Sequence, residues 1–186
     1  MTVLDHFILS QLDRGLETSY DLMRRAGVSL GASVHALRRL SAAGFIKKEE
    51  GTPASNRPRH IYKLTAEGKK QARTGWKQYL EGKSNLIGLD EILRVCDMAA
   101  HCNYNHASLA AFLDGAARDR SVLARQAEIG IGMQSAVSLD YITIRAKCEA
   151  GRLTSEETVL SQLASAIKKN SVRRHRSTET KRKPDR

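Results

Sequence analysis

The chain has 186 residues, 41% of them hydrophobic, and 31 Lys and Arg against 20 Asp and Glu give a formal net charge of +11. That hydrophobic share supports one or two compact cores and argues against disorder through most of the length, and no apolar run approaches the ~20 residues a membrane helix needs. No N-terminal stretch couples a basic start to an apolar run, so no signal peptide is expected; three cysteines, Cys96, Cys102 and Cys148, form no disulfide framework and suit a reducing cytosol.

The first predicted helix covers 4–13, with Leu4, Ile8 and Leu12 on one face and Phe7 beside them; Gly15 ends it. Thr18 can cap a second helix over 18–26, and Gly27 breaks the chain after it. Ser29 can cap a third helix over about 30–43, and Gly44 suits its stop. Val34, Leu37 and Leu40 recur on one side of this helix and are expected to face the core. At about 100° per residue, Ala32, His35, Arg39 and Ala42 then fall opposite, with Arg38 on the flank. Small residues let a helix approach a groove closely, and Arg can pair with guanine edges or phosphates. Ser29 and Ser33 complete the candidate set at the start of this helix.

Phe45 to Glu50 reads as a strand and 51–58, GTPASNRP, as a polar turn. Arg59 to Leu64 reads as a returning strand with His60, Tyr62 and Leu64 on one face. Two short strands around a basic tip, directly after a helix-turn-helix, make a wing that can lie along the DNA backbone or enter the minor groove. Asn56, Arg57 and Arg59 are the candidates at its tip; Lys47, Lys48 and Lys63 are candidates for phosphate contact.

The strings GASVHALRRLSAAGFIKKEE and SNRPRHIYKLTAEGKK resemble the PadR family of bacterial transcriptional regulators over roughly 4–80. The likeness runs through Gly31, Ala36 to Leu40, Gly44, Ile46, Arg57-Pro58-Arg59, Tyr62, Leu64-Thr65 and Gly68. It implies a winged helix-turn-helix, a homodimer held by C-terminal helices, and repression or activation at a palindromic operator. The family often has an aromatic residue where this chain has Val34 and a proline where it has His35.

One helix is predicted over about 66–81, with Ala72, Trp76, Tyr79 and Leu80 on one stripe and Trp76 in the core or a dimer interface. Residues 82–88, GKSNLIG, look like a linker. Helical stripes follow at Leu89, Ile92, Leu93, Cys96, Ala99 and Ala100, at Leu109, Phe112, Leu113 and Ala116, and at Met133, Val137, Tyr141, Ile144 and Cys148. Gly130-Ile131-Gly132 reads as a hinge between helices. A last helix is expected to start at Thr154 in a capping box with Glu157 and to bury Val159, Leu160, Leu163 and Ile167. This block suits dimerisation, which spaces two reading helices about one DNA turn apart. Residues 168–186 have no apolar spacing.

Charge follows the same division. Residues 1–81 carry 14 basic and 8 acidic side chains, 82–167 carry 8 and 10, and 168–186 carry 9 and 2. The basic excess therefore sits at the two ends, where phosphate contact releases counterions. Cys96, His101, Cys102 and His106 lie close together, but their spacing is not that of a zinc finger or ribbon, and no metal or other cofactor is expected. No phosphate loop, nucleophile elbow or paired acid and base stands out, so an enzyme is not expected.

The sequence therefore predicts a mainly α protein with a small β-hairpin wing. Residues 1–81 form a winged helix-turn-helix, 82–170 a helical dimerisation domain that could hold a small-molecule effector, and 171–186 a disordered basic tail. The expected function is sequence-specific binding of double-stranded DNA by a homodimeric, cytoplasmic, nucleoid-associated regulator, most simply a repressor. The alternative is a nucleic-acid binder without sequence preference, architectural or RNA-associated, that uses the basic ends.

Overall fold

The computed structural model describes residues 1–51, 59–82, 88–132 and 141–180, without the side chains of 59, 130–132, 141–142 and 170–180. It divides into two compact units, Met1–Asn103 and Tyr104–Arg186.

The N-terminal unit runs α1 (Val3–Asp13), α2 (Ser19–Ala26), α3 (Leu30–Ala42), β1 (Ile46–Gly51), β2 (Arg59–Leu64), α4 (Ala66–Thr74), α5 (Lys77–Leu80) and α6 (Leu89–His101). Side-chain oxygens start the first four long helices. Thr2, Thr18, Ser29 and Thr65 accept from the backbone amides of Asp5, Asp21, Ala32 and Gly68, each meeting a donor the helix leaves unpaired. The αL residue Gly27 closes α2 at φ +66°, as expected.

Helix α1 is the hub: it packs on α2, α3, α4, α6 and β2. Ile8, Leu9, Leu22, Val28, Leu37, Leu40, Ile46, Trp76, Ile92, Val95 and Met98 fill the core around it; each large apolar side chain contributes about 1.5–3 kcal/mol relative to exposure. Strands β1 and β2 pair antiparallel, Ile46 opposite Leu64 through Gly51 opposite Arg59. The Tyr62 amide donates to the Glu17 carbonyl at 2.8 Å, which ties the hairpin to the segment between α1 and α2.

Three expectations shift here. The helix expected over 66–81 is two helices, broken at Gly75 and Trp76. A Cβ at Gly75 would lie 2.4 Å from the His6 ring, so α4 ends where α1 presses closest. Trp76 is fully buried in this unit's core and donates from Nε1 to the Arg73 carbonyl. Helix α6, read from sequence as part of the C-terminal block, packs on α1. It buries Val95 and Met98 with Ile92, Cys96 and Ala99, whereas Leu93 and Ala100 of the expected stripe are exposed.

The C-terminal unit is a pair of long helices, α7 (His106–Gly132) and α8 (Tyr141–Thr180). Lys168 meets Asp114 and Arg120 meets Glu156, so the helices run antiparallel. Ala110, Leu113, Ala117, Arg120 and Ala124 are buried along α7, a spacing of three and four that makes a coiled-coil seam. Opposite them Ala150, Leu153, Leu160 and Ala164 are buried on α8.

No helix starts at Thr154: α8 is continuous through it, and the Thr154 and Ser155 hydroxyls donate back to the Ala150 and Gly151 carbonyls. Gly130 to Gly132 belong to α7 rather than to a hinge. Val159 of the expected stripe is exposed. Helix α8 continues to Thr180, into the segment expected to be disordered, with no proline before Pro184 to stop it. Residues 83–87 of the expected linker, Met133, Val137 and 181–186 lie outside the described residues. Among the described residues, no helix is long and apolar enough to cross a membrane.

Candidate nucleic-acid interface

Helix α3 is held from one side only. Ser33, Ala36, Leu37 and Leu40 are its buried residues, so its inward axis runs between Ser33 and Leu40 and not through Val34, which is half-buried. Ser33 is a correction to the sequence reading. It has no exposed surface, and its hydroxyl donates to the Leu30 carbonyl at 2.8 Å, so the helix's own backbone holds it away from solvent.

The shift turns the outward axis by about 50° at 100° per residue. Gly31, His35, Arg38 and Ala42 now lie along it, all exposed, and Ala32 is half-buried beside them. Arg38 thus moves from the flank to the front. Neither His35 nor Arg38 has an ion-pair partner among the described residues. Ser29 is exposed at the helix start, where its Oγ accepts from the Ala32 amide at 3.3 Å.

Arg39 goes the other way. Its Nη2 donates to Asp5 Oδ1 at 2.7 Å, while the Asp5 side chain is 6% exposed and that of Arg39 53%. Burial alone would raise the Asp5 carboxyl. The Thr2 amide at 2.9 Å, the Arg39 guanidinium and the Thr2 hydroxyl outweigh it and hold the group below its ordinary value of 3.8. Asp5 is the site residue that sequence reasoning missed. Its signal was the Thr2-x-x-Asp5 spacing of a capping box at the start of α1.

The hairpin begins where α3 ends. Gly44 adopts φ +74° and Thr65 Oγ1 donates to the Gly44 and Phe45 carbonyls. A Cβ at Gly68 would lie 2.0 Å from the Phe45 carbonyl oxygen, so only glycine lets α4 start this close to the turn. In the ladder Lys47 faces Lys63 and Glu49 faces Ile61, which puts both lysines and Glu49 on one face. Glu49 reaches diagonally to Lys63 at 2.6 Å and raises the lysine's pKa above 10.5. Lys47 and Lys48 are exposed. Arg59 starts β2 opposite Gly51; Asn56 and Arg57 lie outside the described residues.

Beside the buried Asp5 carboxylate, three other buried titratable groups, His6, Tyr79 and Cys96, are held in their neutral forms. Burial lowers the His6 pKa from 6.5, and its Nδ1 lies 2.9 Å from the Tyr79 hydroxyl and 3.2 Å from the Thr2 carbonyl. Burial also pushes the Tyr79 phenol up to about 12 and the Cys96 thiol up to about 12. A cleft of about 360 Å³ opens between α1, the end of α2 and α6, with Phe7, Arg14, Arg25, Arg94 and Asp97 in its wall. Arg14 is bound to Asp97 there, and the Arg94 guanidinium lies 5.8 Å from the centre of the Phe7 ring.

Residues 8–74 match the model of the Transcriptional regulator PadR-like family. Two solved structures are similar. One is the crystal structure of Bacillus subtilis PadR in complex with operator DNA, 15% identical, covering 89% of this chain and 97% of that one at a TM-score of 0.38. The other is smu.1604c from Streptococcus mutans UA159, 18% identical, covering 89% of this chain and 99% of that one at a TM-score of 0.35. No curated protein matches the chain.

Proposed function

We propose that the chain regulates transcription by binding double-stranded DNA through α3 and the hairpin, a reading supported by the match of residues 8–74 to the model of the PadR-like family of transcriptional regulators. One observation carries the reading: α3 presents Gly31, His35 and Arg38 to solvent on a face that takes no part in the fold. Small residues at its start permit close approach to the major groove, and Arg38 and His35 follow with hydrogen-bonding groups. Ser29 at the helix start, Lys47 and Lys48 on β1, and Asn56, Arg57 and Arg59 toward the turn meet phosphates or the minor groove. Lys63 reaches a phosphate only by giving up Glu49.

The active form in this reading is a homodimeric repressor on a palindromic operator. Val122, Leu123, Ile129, Ile144 and Val159 are exposed on α7 and α8 and supply apolar surface for a second copy. In this reading a small-molecule effector enters the cleft beside α1, where Arg25 offers a cation while Arg14 and Arg94 pair with Asp97 and Asp90. Such a regulator works in the cytoplasm at the nucleoid.

Selection of random duplexes by the full-length protein at physiological salt tests the reading. A recovered palindrome with half-sites about 10–10.5 base pairs apart, or a multiple of that, is expected. Arg38→Ala should cost about 1–3 kcal/mol on that site and relax one base position. Recovery of no motif would sink the regulator. The second reading, binding without sequence preference, draws on the nine basic and two acidic side chains of 168–186. It predicts that unrelated duplex competes as well as any selected one.

A further inference from the structure

Two cations expected to meet DNA already have carboxylate partners, and the partnerships differ in kind. Glu49 and Lys63 are each about half exposed on a strand face, so water or a phosphate can replace either partner at little cost. Asp5 has no such freedom. It is the third residue of α1, with one oxygen held by the Thr2 amide and the other by Arg39, and almost none of its side chain reaches solvent. Release of Arg39 would strand a buried carboxylate with only the first turn of its own helix to answer it. Arg39 therefore lies at the surface without being available there.

We propose that Asp5 is a positioning residue of the DNA-binding surface: it withholds Arg39 from phosphate and fixes the rotation of α3, leaving the reading of bases to His35 and Arg38. The proposal rests on the DNA-binding reading above. Phosphate contacts strengthen binding to every duplex alike, whereas base contacts discriminate. A free guanidinium beside the reading face would raise affinity for all sequences and shrink the preference for one. The Asp5 pair removes that contribution while tying α3 to the start of the hub helix.

The test uses the full-length protein and a random-sequence duplex, with affinity measured by fluorescence anisotropy across a salt series. Asp5→Asn is expected to bind this duplex more tightly at low salt, with a log–log slope steeper by about 0.9, one counterion more than wild type. The Asp5→Asn/Arg39→Gln double variant, equal in net charge to wild type, should return to the wild-type slope. Thr2→Ala loosens the same helix start without freeing Arg39. It should lower the melting temperature and keep the wild-type slope, which separates a structural effect from the proposed one. If Asp5→Asn does not fold, Asp5→Ser keeps a helix-starting residue and frees the same cation. A wild-type slope in the single variant, or an unreduced slope in the double variant, overturns the proposal and leaves the DNA-binding reading intact. Absence of duplex binding by wild type overturns both.

Discussion

In the N-terminal unit the deepest side chains are Trp76, Ile8, Leu9, Leu22 and Leu37, whereas the seam of the C-terminal helix pair carries alanine at 110, 117, 124, 150 and 164 and an ion pair near its middle. Large, differently shaped side chains interlock in one arrangement, so shape alone can specify how the first unit packs. In the C-terminal seam small alanines alternate with Leu113, Leu153 and Leu160, so fewer large side chains interlock there. Charge adds to what sets the register. Arg120 and Glu156, at 5% and 9% side-chain exposure, do so, with Arg152 on the second Glu156 oxygen. A buried ion pair is weak evidence for stability but a strong constraint on alignment.

The largest expected effect tests the first half of that contrast. Trp76→Ala should cost about 3–5 kcal/mol, through lost burial and an unfilled cavity, and chemical denaturation followed by circular dichroism would measure it. A cost under ~1 kcal/mol would mean that the unit repacks and that shape is not what specifies it. Glu156→Leu should destabilise by about 3 kcal/mol because it removes the buried carboxylate that both Arg120 and Arg152 bind. Adding Arg120→Leu should restore the midpoint while loosening the register, which spin labels placed on α7 and α8 would report as a broadened distance distribution. A single sharp distance in the double variant would remove the register argument. Gly75→Ala sharpens the picture of α1 as hub: its Cβ meets the His6 ring, for about 1–3 kcal/mol of overpacking, read from the same denaturation curves.

The smallest effect is a pH dependence confined to the N-terminal unit. The His6 pKa is depressed in the folded state, so below its ordinary value of 6.5 the unfolded chain binds more protons than the folded one. Stability from this group is whole above about pH 6.5 and falls as the pH drops through 6.5 toward the folded value. Fluorescence of the sole tryptophan, Trp76, should show a lower denaturation midpoint at pH 5.5 than at pH 7.5. His6→Gln should flatten the difference, and an equal loss in that variant would assign the effect elsewhere.

Local chemistry made much of the fold legible in the sequence. Hydroxyl caps at Thr18 and Ser29 and the glycines at 15, 27 and 44 mark where helices start and stop, and the strands follow from alternation and a polar turn. The rotation of α3 was hidden because its inward axis is set by Ser33 and Ala36. A serine that bonds its own backbone and an alanine covered by a neighbour carry almost no hydrophobic signal. The break at Gly75 depends on His6, far away in the chain. At Thr154 the capping pattern was real as a string, but its hydroxyls bond backward inside a helix that had already begun. The engagement of Arg39 is tertiary for the same reason: spacing along α3 puts a cation near the surface and says nothing of a carboxylate arriving from α1.

The outward face of α3 has a consequence for how such a molecule can change. His35 and Arg38 contribute nothing to the core, so point substitutions there can pass without loss of folding, and new targets lie a mutation or two away. Gly68, against the Phe45 carbonyl, and Asp5, against Arg39, have no such latitude. Adaptability and constraint are thus sorted by burial, and a library randomised at 31, 35, 38 and 42 should keep most of its members folded while diversifying what they bind.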